Sequence, residues 1–301
     1  MIMVSTVRQS HPATGLLLPG LLLCALGALI ALQTGVLQLP ATSDAGAAPL
    51  TVIIAPRAFS YRDSGDFLRD GVPVDAPIVE RTPGALLEVM KYQVGVFDYA
   101  RCVDAGACEP ADPRRKVAGD APVTGVSFDD AQAYASWLSV ATGETWRLPT
   151  IEEWAFMAGS RAVDHGLGVE TDGDNPAERW LAFYEREAAL GQAASARPEP
   201  PGTFGFNEFG VADLAGSVWE WTATCNSRTR LDAGGMVTSR LESCGVRLLE
   251  GRHRTPMSTF IRDGRSGGCT VDAPPDNLGF RLVREPPWHA RVVSLLRDLF
   301  A

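Results

Sequence analysis

Glycine and proline interrupt this chain so often that its regular elements are expected to be short. The 301 residues include 30 glycines and 21 prolines, and both residue types favour turns over the interior of helices and strands. A short apolar run at 50–54 predicts a strand, and alternation at 59–62 and 67–68 predicts a hairpin arm. The chain is therefore expected to be rich in turns and irregular loops.

Two helices carry their own start signals. Ser127 and Asp130 are spaced as a capping box, and apolar residues then recur on one helical face as far as Leu138. Thr150 and Glu153 repeat the signal before a second apolar face. Both segments are predicted to be core helices of about three turns, whose residues have capping and packing roles rather than catalytic ones.

The N-terminal region contains an apolar stretch, 15–32, that has no charged residue. Its length approaches the thickness of a bilayer, and Arg8 on its N-terminal side places residues 1–14 in the cytoplasm. The segment 15–38 is predicted to be a single-pass inner-membrane anchor with a periplasmic domain behind it. The alternative is a signal peptide whose cleavage releases the chain into the periplasm. Residues 39–49 are predicted to be a linker.

The acidic charge balance restricts the partners. The net charge is −9 and the isoelectric point about 5.0, and no basic run alternates with aromatic residues. Nucleic acid is therefore not expected as a partner, and membrane contact is expected only through the N-terminal anchor. After a globular region at 50–284, the apolar spacing within 285–301 predicts a terminal amphipathic helix.

Export changes how the cysteines are interpreted, because thiols oxidise outside the cytoplasm. Cys102 and Cys108 flank a short segment that contains a glycine, and they predict a local disulfide. Cys225 and Cys244 flank a polar insertion and predict a second disulfide that pins this loop. Cys269 is then left over, unless it pairs with Cys225 or Cys244 instead.

Four sequence blocks occur in a distinctive order. They are 122–138 (PVTGVSFDDAQAYASWL), 146–154 (WRLPTIEEW), 207–221 (NEFGVADLAGSVWEW) and 276–281 (DNLGFR). Together they resemble the formylglycine-generating-enzyme and sulfatase-modifying-factor family. The resemblance implies an α+β fold for 50–284, the formylglycine-generating-enzyme-like variant of the C-type lectin fold, with little regular secondary structure. Arg147 and Arg281, within these blocks, are candidates for buried ion pairs.

The third block implies a structural calcium site by its resemblance to the family. The matching ligands are the side chains of Asp213 and Glu220 and the carbonyl groups of Gly216 and Val218. Calcium prefers hard oxygen ligands of this kind. The alternative is that both carboxylates cap turns or pair with arginines.

The resemblance also exposes a departure. Active members of the family oxidise a substrate cysteine to formylglycine with a cysteine pair that binds copper(I) and activates oxygen. In this chain the two positions fall near Arg252 and Met257, and neither residue supplies a thiolate. Copper is therefore not expected at the family's usual site. The His-x-x-x-His-x-Glu iron motif of the ergothioneine branch is absent as well.

The remaining catalytic candidates are His253, Cys269, Arg252 and Arg254. His253 is the only histidine near the expected pocket, and the three residues 252–254 form a cationic cluster suited to an anion or a carboxylate. Salt bridging to Glu250 is the alternative for these arginines.

Three functions follow as hypotheses. The segments 250–254 and 274–281, the Cys102/Cys108 pair and the anchor resemble NirV-type proteins, which are associated with copper nitrite reductase in denitrifying bacteria. The first hypothesis is an exported accessory factor that binds a periplasmic protein or peptide, in support of a denitrification-type metalloenzyme. The second is a metal-dependent oxidase of protein cysteine with a rearranged site around His253 and Cys269. The third is a lectin-like ligand-binding module.

Overall fold

The computed structural model describes residues 26–27, 48–115, 119–169, 176–192, 197–265 and 277–286. The strands within them are β1 (Thr51–Ile54), β2 (Phe59–Arg62), β3 (Asp66–Arg69), β4 (Val72–Val74), β5 (Ile78–Arg81), β6 (Leu87–Met90), β7 (Trp146–Arg147), β8 (Trp219–Leu231), β9 (Val237–Glu250), β10 (Thr255–Ser258), β11 (Leu278–Gly279) and β12 (Val283–Arg284). The helices are α1 (Val96–Asp104), α2 (Phe128–Thr142), α3 (Ile151–Ala158) and α4 (Pro176–Gln192), and a 3₁₀ turn follows α3 at Gly159–Arg161.

The strands form three sheets. One has the order β1-β6-β12-β7, and a larger one has the order β10-β9-β8-β3-β4, with β11 parallel to the start of β8. Strands β2 and β5 form a separate antiparallel pair. Because β2 pairs with β5 while β3 pairs with β4 and β8, the hairpin predicted from 59–62 and 67–68 is not formed. The α+β fold class is confirmed.

The two predicted capping boxes are both present. At α2 the Ser127 hydroxyl accepts a hydrogen bond from the Asp130 amide, and the Asp130 carboxylate accepts one from the Ser127 amide. Thr150 and Glu153 are arranged in the same way at α3. Gly143 ends α2 in the left-handed region at φ 70°, a conformation that costs glycine little. These local signals fix the two helices that carry much of the core.

The region between Cys225 and Cys244 differs from its prediction. Instead of a loop, it is the outer part of a long β-hairpin whose strands, β8 and β9, have 13 and 14 residues. No glycine or proline occurs at 217–233 to end the strand, although its pairing with β9 shifts register around Cys225, and the glycines at 234–235 lie at the turn. Both predicted disulfides, Cys102–Cys108 and Cys225–Cys244, are formed.

Two apolar clusters flank the sheets. The larger packs α1 and α2 against Trp221 and Phe280, and the smaller packs α3 against β6. In the described part of the chain, no helix is both long and apolar enough to cross a membrane. The predicted anchor at 15–38, apart from Leu26 and Gly27, lies outside the described residues, as do Cys269 and nearly all of the terminal helix predicted at 285–301.

Candidate functional site

Two buried glutamates face each other at the inner end of the long hairpin. Glu220 on β8 and Glu250 on β9 are cross-strand partners, and each is 1% exposed. Directly opposed residues of an antiparallel pair point to the same face of the sheet, where like charges repel. Each carboxylate therefore needs its own cation, and the two are neutralised in different ways.

Glu220 belongs to a closed cluster with Arg281, Gln93 and Trp154. Arg281, 0% exposed, donates from Nε to Oε2 and from Nη2 to Oε1, both at 2.6 Å. Gln93 Nε2 donates to Oε1 at 2.8 Å and Trp154 Nε1 to Oε2 at 3.1 Å. Each carboxylate oxygen thus accepts two hydrogen bonds, and the charge is neutralised by a bidentate guanidinium.

The predicted calcium ligands lie beside this cluster, and their contacts do not fit calcium. The Asp213 carboxylate accepts hydrogen bonds from the Gly202 amide at 2.6 Å and the Phe204 amide at 2.8 Å. The Gly216 carbonyl accepts one from Arg252 Nε at 3.1 Å. Because the oxygens of Glu220 are held by Arg281, a divalent cation at the predicted ligands would meet that buried positive charge.

Glu250 belongs to an open cluster with Arg254, His165 and Arg186. Arg254 Nε donates to Oε1 at 2.6 Å, and His165 Nε2 lies 3.2 Å from Oε2. His165 Nδ1 lies 3.3 Å from the Arg254 amide and 3.4 Å from Arg186 Nη2, so a proton on Nε2 satisfies all three contacts. Burial raises the pKa of Glu250, but the charge of Arg254 and the hydrogen bonds from Arg254 and His165 outweigh it and hold the pKa below its usual range.

Two cavities open onto the Glu250 cluster and share part of its wall. Their volumes are about 430 Å³ and 170 Å³, and Arg62, His165 and Arg254 line both. The larger is lined further by charged side chains and by apolar residues of β3, β4 and the hairpin. These include Asp63, Asp66, Asp75, Arg179, Arg228, Phe67, Leu68, Val74 and Leu248. A ligand there would meet charged groups of both signs beside an apolar wall.

Arg179 lines the larger cavity, and one of its guanidinium nitrogens has no hydrogen-bond acceptor in the described part of the chain. Its Nη2 donates to the Asp75 carboxylate at 2.7 Å, while its Nη1 is buried and has no acceptor within the described residues. A buried donor without an acceptor is costly, so a rearrangement that let Nη1 reach an anionic group in the cavity would be favourable. The same helix, α4, turns Trp180 and Tyr184 toward solvent, and their rings stack at 5.8 Å.

The residues predicted as catalytic candidates do not share one site. Arg254 joins the open cluster, whereas Arg252 lies 5.8 Å from the Trp219 ring centroid and donates to the Gly216 carbonyl. His253 is 4% exposed, its ring meets Trp219 edge-on at 5.3 Å, and neither ring nitrogen has a hydrogen-bond partner in the described structure. Burial lowers the pKa of His253 to about 4, with His165 adding to the shift.

The segment around Arg252 and Met257, which was predicted to lack a thiolate pair, has a structural role. Met257 is buried in the larger apolar cluster, and the four cysteines among the described residues are all in disulfides. Sequence reasoning missed His165, which lies in a stretch interpreted only as loops and belongs to no motif. Glu250 was named only as a salt-bridge partner, and its pairing with Arg254 follows that interpretation.

Comparisons with known proteins agree with this architecture. Residues 38–286 match the family of the sulfatase-modifying factor enzyme 1-like domain. The formylglycine-generating enzyme of Mycobacterium tuberculosis (strain ATCC 25618 / H37Rv) is 36% identical over 111 residues, 34% of this chain and 33% of that protein. The inactive C-alpha-formylglycine-generating enzyme 2 of Bos taurus is 29% identical over 187 residues, 58% of this chain and 54% of that protein.

The chain thus spans between a third and about half of the length of these curated relatives. Among solved structures, that of PvdO from Pseudomonas aeruginosa superposes with a TM-score of 0.50 at 21% identity. The superposition covers 83% of this chain and 100% of that one. At this level of identity the likeness concerns the fold alone.

Proposed function

The chain belongs to the sulfatase-modifying factor enzyme 1-like family, and we propose that it binds a protein partner at the cleft beside Glu250 instead of oxidising a cysteine there. The single observation that carries this proposal is the fate of the two thiolate positions. One holds Arg252, which contacts Trp219 and the Gly216 carbonyl, and the other holds the buried Met257. Neither position supplies a thiolate, and the one soft ligand left there, the Met257 thioether, is buried in the apolar cluster.

The surface around the cleft supports a protein or peptide ligand. Arg179 lines the larger cavity, where its guanidinium is paired with Asp75 and its Nη1 lacks an acceptor among the described residues. On the same helix, Trp180, Leu181 and Tyr184 are exposed, and tryptophan and tyrosine dominate the binding energy of many interfaces. A partner segment that places an acidic side chain in the cavity and apolar side chains on α4 fits both features.

The biological setting of this proposal rests on two predictions from the sequence. The predicted anchor at 15–38 puts the domain in the periplasm, and the resemblance to NirV-type proteins names a partner class, a denitrification-type metalloenzyme. In this proposal the chain is a membrane-anchored accessory factor that holds an exposed segment of that enzyme.

The test measures binding of the full chain to purified copper nitrite reductase by calorimetry. We expect saturable binding that weakens roughly tenfold in Trp180→Ala and in Arg179→Gln, as expected for an interface anchor and a charged hydrogen bond. Val140→Ala is the matched control, because Val140 is exposed on α2 and lines neither of the two cavities. Absence of binding, or equal weakening in the control, would overturn the proposal.

One observation favours the oxidase as a second candidate. The neutral imidazole of His253, buried with both nitrogens unpartnered, is in the form that binds metals. Copper(I) titration of the oxidised chain, with oxygen uptake on a cysteine-containing peptide, tests it. Tight binding lost in both His253→Leu and Cys269→Ala, with peptide-dependent oxygen uptake, would favour the oxidase; the lectin-like hypothesis has no comparable observation.

A further inference from the structure

The outer half of β9 is an open sheet edge. Strand β10 pairs with β9 only at 246–249, whereas 237–243 pairs with β8 on one side and with no other described strand on the opposite side. All of residues 237–245 are exposed. Alternate peptide groups along such an edge point their N–H and C=O groups outward, where another strand can pair with them.

The other two edges of this sheet are protected. Strand β4 contains Pro73 and β10 contains Pro256, and proline removes a donor from an edge. The β9 edge, with the sequence VTSRLESC at 237–244, contains neither proline nor glycine. Of the edges of this sheet, it is therefore the one suited to accept a further strand.

We propose that this edge pairs with the same edge of a second copy of the chain, antiparallel, about a two-fold axis at Leu241. In this register Arg240 lies opposite the partner's Glu242, and Glu242 lies opposite the partner's Arg240. Opposite charges directly across an antiparallel pair are stabilising. Leu241, 74% exposed in the single chain, then packs against the partner's Leu241.

The charge pattern selects this register over its neighbours. An axis at Arg240 would place two arginines opposite each other, and an axis at Glu242 would place two glutamates opposite each other, both of which are unfavourable. Within one chain Arg240 contacts Asp63 at 3.4 Å and Glu242 at 3.7 Å, with both Arg240 and Glu242 more than one-third exposed. Neither residue is buried by these contacts, so both can face a second copy.

The β8–β9 hairpin is also rigid in the single chain. The Cys225–Cys244 disulfide joins β8 to β9 at the inner end of the exposed stretch, and β3 pairs with β8 at 228–231 on the far side. A rigid edge loses little conformational freedom on pairing. The interface is short compared with those of obligate dimers, so the dimer should dissociate on dilution.

The experiment is sedimentation velocity of the full chain in mild detergent over a concentration series. We expect a monomer–dimer equilibrium whose dissociation constant rises roughly tenfold or more in Arg240→Glu and in Glu242→Arg, because each change turns two attractive pairs into repulsive ones. An equimolar mixture of these two variants should dimerise, since every cross-strand pair is then of opposite charge. The double variant Arg240→Glu/Glu242→Arg should dimerise like the parent.

Leu241→Asp tests the apolar contact at the axis, and Val140→Asp is its control, since Val140 is 76% exposed on α2. We expect Leu241→Asp to be monomeric and Val140→Asp to behave as the parent. A parent that stays monomeric at the highest soluble concentration would overturn the proposal. So would a dimer that persists in Leu241→Asp, or a mixture of the two charge variants that fails to associate.

Discussion

Glu220 and Glu250 are cross-strand neighbours with the same exposure, but their surroundings differ. Glu220 is enclosed by Arg281, Gln93 and Trp154, all fully or nearly fully buried. Glu250 is held by Arg254 and His165, which both line two cavities. One carboxylate is therefore part of the core, and the other supports a surface that a ligand can reach.

The difference predicts different roles for the two clusters. In a fully enclosed ion pair, neither residue can replace its partner with water or a ligand. If one residue is removed, the charge of the other stays buried. In a cluster at a cavity wall this replacement is possible, because water can reach the charge that remains. We therefore expect substitutions in the closed cluster to affect folding and those in the open cluster to affect binding.

The largest expected effect is on the closed cluster. Arg281→Met should lower the free energy of unfolding by about 3–5 kcal/mol, because Glu220 keeps its charge without a cation. Arg254→Met should cost only about 1–3 kcal/mol, because His165 remains beside Glu250 and the cavity admits water. Urea unfolding of the full-length chain at pH 7 measures both.

The double variant Glu220→Gln/Arg281→Met is the control for this prediction. It removes the stranded charge and should recover most of the loss. Equal costs for Arg281→Met and Arg254→Met would show that the two clusters do not differ in the way their contacts indicate.

The second expected effect is on acid stability. The pKa of His253 is about 4 in the folded chain and about 6.5 in an unfolded one. Between these values the unfolded state binds more protons, so stability falls as the pH drops from 6.5 toward 4, by up to about 3 kcal/mol. His253→Leu should remove this slope, as measured by urea unfolding between pH 4.5 and 7.

Glu250 limits the range of that measurement. Its pKa is below the usual value, so the stability it provides is present above about pH 4.5 and is lost only as the pH falls through its lower folded value. The parent and His253→Leu should show parallel curves above pH 7. A slope between pH 4.5 and 6.5 that survives in His253→Leu would contradict the assignment to His253.

The smallest expected effect concerns calcium. The parent should show no rise in melting temperature when calcium replaces a chelator, because Arg281 already neutralises Glu220. Arg281→Met should show a modest rise in melting temperature, because the Glu220 carboxylate is then free to bind a cation. A rise in the parent that disappears in Glu220→Ala would restore the calcium site predicted from the sequence.

The sequence predicted the parts of the fold that depend on neighbouring residues. The capping boxes at Ser127 and Thr150 act over three positions, and both appear where the spacing places them. The disulfides follow from short separations and from the turn glycines. Arg281 was identified as a candidate for a buried ion pair, and it forms one.

The remaining features depend on contacts between distant parts of the chain. His165 and Glu250 are 85 positions apart, and Gln93 and Glu220 are 127 apart, so no local pattern links them. The outer part of the long hairpin was missed for a different reason. Residues 237–245 are exposed on both faces of the strand, so they lack the alternation of apolar and polar residues that marks a half-buried strand.

The Cys225–Cys244 disulfide determines what a purified sample can bind. The two sulfurs and a Glu242 oxygen lie within 4.8 Å of one another, so reduction would create two adjacent thiols beside a carboxylate. Thiolates are strong ligands for copper(I), and a preparation made in a reducing cytoplasm would take up the metal at the hairpin rather than at the predicted thiolate positions. Stoichiometric copper uptake would then be an artefact of the expression host, and free-thiol counting must come before any assay of the cleft.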